Sequence, residues 1–184
     1  LLSSETGADT IYASAGNDYV IGGNGNDLIY GGSGDDDIYG GYTSQNSYAT
    51  DTLLGEDGAD LLVGNTGNNN FDGGAGNDTI YDAGATAIVE GGTGNDWYYH
   101  GYVSYAYGTS TVTDSGGTAD YVVLWQAATS SDLDYYQSGN DLRFRTLADK
   151  NAGIDTRDAI IKDYFSTGSG IEYVVAADGT GFSI

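Results

Sequence analysis

The tightest constraint on this chain is a nine-residue frame that returns in phase. Gly22-Gly23-Asn24-Gly25-Asn26-Asp27-Leu28-Ile29-Tyr30 is followed at once by Gly31-Gly32-Ser33-Gly34-Asp35-Asp36-Asp37-Ile38-Tyr39, and residues 73–81 and 91–99 repeat it. The frame is G-G-x-G-x-D-x-(large apolar)-x. Looser copies fill most of the remainder up to residue 99. Residues 4–12 carry Asp9 and Ile11, 13–21 carry Asp18 and Val20, and 55–63 carry Asp60 and Leu62. Asn69 takes the acidic place in 64–72, and Ala87 takes it in 82–90. Residues 40–54 open on a glycine pair but run six residues too long, which predicts one repeat with a surface insertion.

Each repeat has two parts with separate physical causes. The glycine-rich hexapeptide turns sharply because glycine adopts positive φ without steric cost. Its carbonyls, freed from any ladder, are expected to point inward as hard oxygen donors. The last three residues form a short strand, with the eighth side chain facing in and the seventh and ninth facing out. The expected core is therefore Ile11, Val20, Ile29, Ile38, Leu62, Phe71, Ile80, Val89 and Tyr98. Two repeats make one turn of a flattened right-handed coil, so positions 18 apart stack at about 4.8 Å.

That geometry sorts the acids. Counting 40–54 as one repeat, one edge carries Asp18, Asp36, Asp60, Asp78 and Asp96. The other carries Asp9 and Asp27, then the insertion, then Asn69 and Ala87. A lone copy would mark no more than a tight turn, but seven aspartates in phase need another cause. Stacked carboxylates and carbonyls make an all-oxygen cage of six or more donors, which suits Ca²⁺ rather than Zn²⁺ or Mg²⁺. About five ions are expected, a count that follows from the register and from the ligand numbers calcium takes. Four lie between successive acids of the first edge and one between Asp9 and Asp27, with the Asn69/Ala87 stretch empty or weakly occupied. Asp51 would join Asp27 in a sixth site if its phase matched. Unneutralised stacked carboxylates repel one another, so calcium is expected to be a folding requirement.

Charge supports this and excludes other partners. The net charge is −22, and the five basic residues, Arg143, Arg145, Lys150, Arg157 and Lys162, all fall after position 142. Such a surface attracts cations and repels nucleic acid and anionic membranes. The chain has no cysteine, and no apolar run is long enough for a transmembrane segment. It starts without Met or a signal peptide, so it is expected to be part of a longer polypeptide.

Residues 1–99 thus read as a calcium-binding roll with its insertion in 40–54. Residues 100–184 read as a β-rich capping region, which a repeat stack needs to cover its last apolar layer. Strands are expected at 109–114, 121–125, 159–165 and 171–176, with a hairpin of 133–137 and 142–147 around Ser138-Gly139-Asn140-Asp141. Residues 98–107 are an aromatic run leading out of the roll. Asp120 lacks the fourth-position glycine and stands outside the expected ladder.

The nonapeptide resembles the RTX (repeats-in-toxin, haemolysin-type) calcium-binding repeat. The runs at 139–144 (GNDLRF), 158–165 (DAIIKDYF) and 170–180 (GIEYVVAADGT) resemble the flank that follows such repeats in haemolysin-type and adenylate-cyclase toxins. The resemblance implies an all-β, right-handed parallel β-roll of the solenoid class. It also implies export by a type I secretion machinery, with folding on Ca²⁺ outside the cell in support of the rest of a larger secreted or cell-surface protein. Metal ligands implied by it are the side chains of Asp9, Asp18, Asp27, Asp36, Asp60, Asp78 and Asp96. They are joined by carbonyls of the turns: Ser4, Thr6, Ala13, Ala15, Gly23, Gly25, Gly31, Gly32, Ser33, Gly34, Gly55, Asp57, Gly58, Gly73, Gly74, Ala75, Gly76, Gly92 and Gly94. Ala13, Ser14, Glu56, Asn69 and Ala87 depart from the family's pattern.

Two other function classes bear on the same residues. With one histidine, His100, and no cysteine, most nucleophilic triads are excluded, and the glycine runs lead into three-residue strands rather than phosphate-binding helices. Catalysis within this chain is therefore not expected. Outward Tyr39, Tyr81, Tyr99 and Trp97 on one sheet, with Tyr12 and Tyr30 on the other, form a stripe able to stack on a surface glycan. That makes a ligand-binding module of an RTX adhesin the alternative reading.

Overall fold

The computed structural model of the chain describes residues 1–41, 49–83, 86–101, 108–125, 127, 129–153, 158–162, 164 and 170–184. Strands wind alternately into two facing sheets, because each repeat opens on a glycine turn that carries the chain across. One sheet runs β1 (Leu2–Ser3), β3 (Tyr19–Gly23), β5 (Asp37–Gly41), β7 (Leu61–Val63), β9 (Thr79–Asp82), β11 (Trp97–His100), β13 (Tyr121–Leu124) and β17 (Tyr173–Ala176), all parallel. An antiparallel β18 (Gly181–Ser183) closes it. The facing sheet runs β2 (Thr10–Tyr12), β4 (Leu28–Ser33), β6 (Thr52–Asp57), β8 (Asn69–Ala75), β10 (Ala87–Thr93), β12 (Ser110–Thr113) and β16 (Ala159–Ile161), again parallel. The antiparallel hairpin of β15 (Asp141–Thr146) and β14 (Leu133–Ser138) covers its end. This is a parallel β-roll.

The core is the row of eighth-position side chains. Val20, Ile29, Ile38, Leu62, Phe71, Ile80, Val89 and Tyr98 are each at most 3% exposed, while Ile11 is half-buried in the first, open layer. Leu53 fills the corresponding place in the insertion repeat. Its register settles the phase there. Leu28 pairs with Thr52 at an offset of 24 residues instead of 18, so 40–54 supplies one layer and six extra residues. Residues 42–48 of the insertion repeat lie outside the described residues, as do 102–107 of the aromatic run.

Several strands are longer than three residues. β4, β6, β8 and β10 continue through the first two positions of the next repeat to its third, and Gly32, Gly74 and Gly92 sit in register with Glu56, Glu56 and Gly74. The expectation that turn carbonyls stay clear of any ladder is corrected here. The carbonyls of Ser33, Asp57 and Ala75 accept N–H bonds from Gly16, Gly34 and Gly58 at 2.7–2.8 Å. Each keeps a second lone pair, so ladder membership and metal ligation are compatible at these atoms.

Parallel stacking does not stop at residue 99. β12, β13, β16 and β17 extend both sheets, and Val112, Val122, Ile161 and Val174 extend the same buried row. The strand at 159 is shorter than expected, ending at Ile161, and residues 147–152 form a helix, α1 (Leu147–Ala152), that the pattern does not predict. Thr146 caps it by accepting the Asp149 N–H at 3.1 Å, and Gly153 ends it in the left-handed region. The described basic side chains tie this end together: Arg143 with Asp158, Arg145 and Lys150 with Asp134, and Lys162 with Asp141.

Candidate metal centre

The loops entering the first sheet stack their sixth-position aspartates into one continuous column. The backbone N–H of Asp18 donates to Asp36 Oδ1 at 2.8 Å, Asp36 to Asp60 at 2.7 Å, Asp60 to Asp78 at 2.8 Å and Asp78 to Asp96 at 2.8 Å. The column then goes on: Asp96 donates to Asp120 Oδ1 at 2.7 Å, and Asp120 to Glu172 Oε2 at 2.9 Å. On the opposite edge Asp9 donates to Asp27 at 2.9 Å, Asp27 to Asp51 at 2.9 Å and Asp51 to Asn69 Oδ1 at 3.1 Å. Both edges therefore hold the acids assigned to them, and Asp51 and Asp120 join them.

One oxygen of each carboxylate is used in this way. In six of these carboxylates the other has no partner: Oδ2 of Asp27, Asp36, Asp60, Asp78, Asp96 and Asp120 is buried without a hydrogen bond. A buried anionic oxygen left unpaired costs several kcal/mol in any medium of low polarity, on the order of what a paired ion recovers. Five of these oxygens lie against the first-position glycines, and that of Asp120 lies against Gly117. A β-carbon on Gly31 would sit 2.5 Å from Asp36 Oδ2 and 2.7 Å from the Gly55 carbonyl oxygen. Glycine is needed at that place because carboxylate and carbonyl oxygens converge on it. The donor set is oxygen throughout, which fits a hard cation such as Ca²⁺.

Electrostatics point the same way. Burial, ahead of any other cause, pushes the Asp51, Asp60 and Asp96 carboxyls up to about 6 and Asp78 to about 7. The hydrogen bond from the preceding layer opposes this, and the neighbouring carboxylate charges add to it. Asp27, Asp36, Asp114 and Asp120 are raised as well, again chiefly by burial. A cation between the layers would favour the charged carboxylates and so oppose these shifts.

The second edge ends differently. Asn65 donates its amide to Asp51 Oδ2 at 2.5 Å, and the Asn69 amide goes to the carbonyls of Asn65 and Gly67 at 2.9 and 3.3 Å. Amide N–H groups stand there where a cation would otherwise stand. Ala87, paired with Asn69, brings no oxygen. At the open end Asp9 accepts the Ser4 hydroxyl. Fifth positions, left as unspecified in the frame, also stack: Asn17, Asp35 and Asn77 accept the N–H of Asp35, Ala59 and Asn95 at 2.8–3.1 Å. This second, exposed column runs in the opposite sense to the aspartate column. It explains the recurrent Asn-Asp pair.

His100 is buried rather than on the surface. Its Nδ1 lies 2.6 Å from Ser110 Oγ and 3.4 Å from Asp82 Oδ2, and Ser110 also donates to Asp82. Serine and aspartate share one ring nitrogen, so the relay of a nucleophilic triad, which needs the two opposite nitrogens, is not formed by this trio. The aromatic stripe is present: Tyr81 stacks on Tyr99 at 4.4 Å, Trp97 on Tyr121 at 4.1 Å and Tyr121 on Tyr173 at 4.5 Å. Tyr12 and Tyr30 stack at 4.8 Å on the other sheet.

Among the described residues no helix is long and apolar enough to cross a membrane. A search of curated proteins returned no match to the chain. A family model does match: the RTX calcium-binding nonapeptide repeat (4 copies), over residues 2–29, 12–41 and 47–81. Those segments hold Asp9, Asp18, Asp27, Asp36, Asp60 and Asp78, the acids that the fold stacks into its two columns. Over residues 2–41 and 47–81 the chain therefore carries the RTX calcium-binding nonapeptide repeat, and the parallel roll is what those repeats build.

Proposed function

We propose that this chain is a calcium-folded roll, disordered at low calcium and ordered at extracellular calcium, serving the export and folding of a larger secreted protein. The observation that carries the reading is the set of six buried, partnerless Oδ2 atoms stacked in register. Without cations they set like charges one layer apart in a core that burial has already dried. With cations the same atoms become the ligands that tie each layer to the next. Ions bind between Asp18/Asp36, Asp36/Asp60, Asp60/Asp78 and Asp78/Asp96, and between Asp9 and Asp27, with turn carbonyls completing each shell. The antiparallel β14–β15 hairpin and β18 act as the cap, since they end the two sheets that parallel stacking would leave open. Passage through a type I channel as an unfolded chain follows, because the cytosol lacks the calcium that the fold requires.

The stripe of rings does not favour glycan binding. Sugars stack on free ring faces, and here Trp97, Tyr121 and Tyr173 turn their faces to one another with interplanar angles of 8° and 13°. The test is far-UV circular dichroism of the whole chain, titrated with calcium from EGTA to 10 mM. A cooperative coil-to-β transition, absent with magnesium, is expected. A full β-spectrum in EGTA would overturn the proposal.

A further inference from the structure

The carboxylate pair of successive layers becomes a trio where the repeats end. In every clean repeat the first position is glycine, and a side chain there meets the sixth-position carboxylate. One turn after Gly91 the chain places Asp114 instead: Glu90 pairs with Thr113, and Thr93 bridges Gly116. The carboxyl of Asp114 turns toward Asp96. A β-carbon built on Gly91 would lie 2.5 Å from Asp114 Oδ1 and 2.6 Å from Asp96 Oδ2, so the two oxygens face one point. Asp120 closes the group, and one oxygen from each of Asp96, Asp114 and Asp120 lies within 4.8 Å of the others.

Two features set this apart from a chance gathering of acids. Asp96 and Asp120 are fully buried, and the Oδ2 of each has no hydrogen bond. The lining is also altered to suit Asp114. Tyr98 stands at an inward position that is Ile, Val, Leu or Phe in the earlier layers, and its hydroxyl donates to Asp114 Oδ1 at 3.0 Å. The Gly116 N–H holds Asp114 Oδ2 at 3.1 Å. Glu172, from the segment entering β17, accepts the Asp120 N–H and continues the column.

We infer that Asp96, Asp114 and Asp120 hold a Ca²⁺ ion of their own, in a site of three carboxylates where the repeat sites have two. It rests on the calcium reading of the roll, and it lies beyond the segments that match the repeat family. A third charge raises affinity for a hard cation at fixed geometry. This ion therefore binds first, at least tenfold more tightly than the repeat ions. Its ligands come from β10–β11, the turn after β12, and the start of β13, so it fastens the post-repeat segment to the last clean repeat. Folding then proceeds from the C-terminal end of the roll toward residue 1.

The experiment is calorimetric calcium titration of the whole chain and of Asp114→Asn, with circular dichroism at 10 mM calcium as the check on folding. The expected result is a wild-type tight step that Asp114→Asn weakens at least tenfold or loses, together with one ion, while the repeat ions remain. An Asp114→Asn chain with the wild-type number of ions and the wild-type first step overturns the inference and leaves the roll's own calcium intact. A wild-type chain that binds no calcium overturns the functional reading itself. Should Asp114→Asn stay unfolded at 10 mM calcium, wild-type crystals soaked in terbium decide. An anomalous peak among the three carboxylates supports the site, and peaks confined to the repeats overturn it.

Discussion

Asp78 sits in the middle of the longer column, and Asp78→Asn isolates what its charge does. The asparagine Oδ1 still accepts the Asp60 N–H that Asp78 accepts at 2.8 Å, so the backbone column is kept. The other branch changes from a buried, partnerless anionic oxygen to an amide that presents hydrogens. Asp78 contributes to the Asp60/Asp78 and Asp78/Asp96 layers, so two ions should be lost or weakened. Extracellular calcium modules bind with Kd of about 10⁻⁴ to 10⁻³ M. At 10 mM calcium each ion then stabilises the fold by roughly 1.4–2.7 kcal/mol, and two by about 3–5 kcal/mol. That is a large part of a domain's usual margin of about 5–15 kcal/mol. Asp72→Asn removes the same charge from a half-buried outward position nearby and should cost within about 0.5 kcal/mol. The assay is urea unfolding at 10 mM calcium, joined to an ion count by equilibrium dialysis. Equal losses in the two variants, or an unchanged ion count in Asp78→Asn, would refute the ligand role and leave only diffuse charge repulsion.

Gly73→Ala should act on the same layer without touching an acid. Its β-carbon would press on Asp78 Oδ2 and lie 2.5 Å from the Gly91 carbonyl oxygen, so the calcium midpoint should rise, with about 1–3 kcal/mol lost to overpacking. Acid should partly replace calcium in EGTA. Burial pushes the Asp60 and Asp96 carboxyls up to about 6 and Asp78 to about 7 in the fold, against about 3.9 unfolded, so the metal-free fold is favoured at low pH and loses stability as pH rises through that window. A β-signal in EGTA that grows from pH 7.5 to 5 is the expected reading, and one that falls would refute the burial argument. Phe144→Ala empties a fully buried place in β15 and should cost about 3–5 kcal/mol, raising the calcium midpoint of the whole roll if the hairpin caps it.

What the sequence made legible is what a fixed period can encode. A side chain that recurs every 9 residues lands in one environment each time, so the buried row and both carboxylate columns follow from phase alone. Legibility failed wherever the count slipped. Asp51 could not be placed because six extra residues precede it, and only the pairing of Leu28 with Thr52 returns it to the column above Asp27. Asp120 was set aside for want of a fourth-position glycine. That glycine exists as Gly117, seated over Gly94, but Thr118 and Ala119 intervene where a repeat has one residue. Partners from different layers were hidden for another reason. Asn65 reaching Asp51, or Tyr98 reaching Asp114, joins residues 14 and 16 apart, which no nine-residue comparison aligns. These off-period contacts occur where a column changes character. Asn65 supplies N–H groups where the second column stops being acidic, and Asp114 adds charge where the first outlasts its repeats. A repeat array is uniform along its length, so whatever ends it must depart from the repeat. The informative residues are thus the ones whose side chains break the frame while their backbone keeps it.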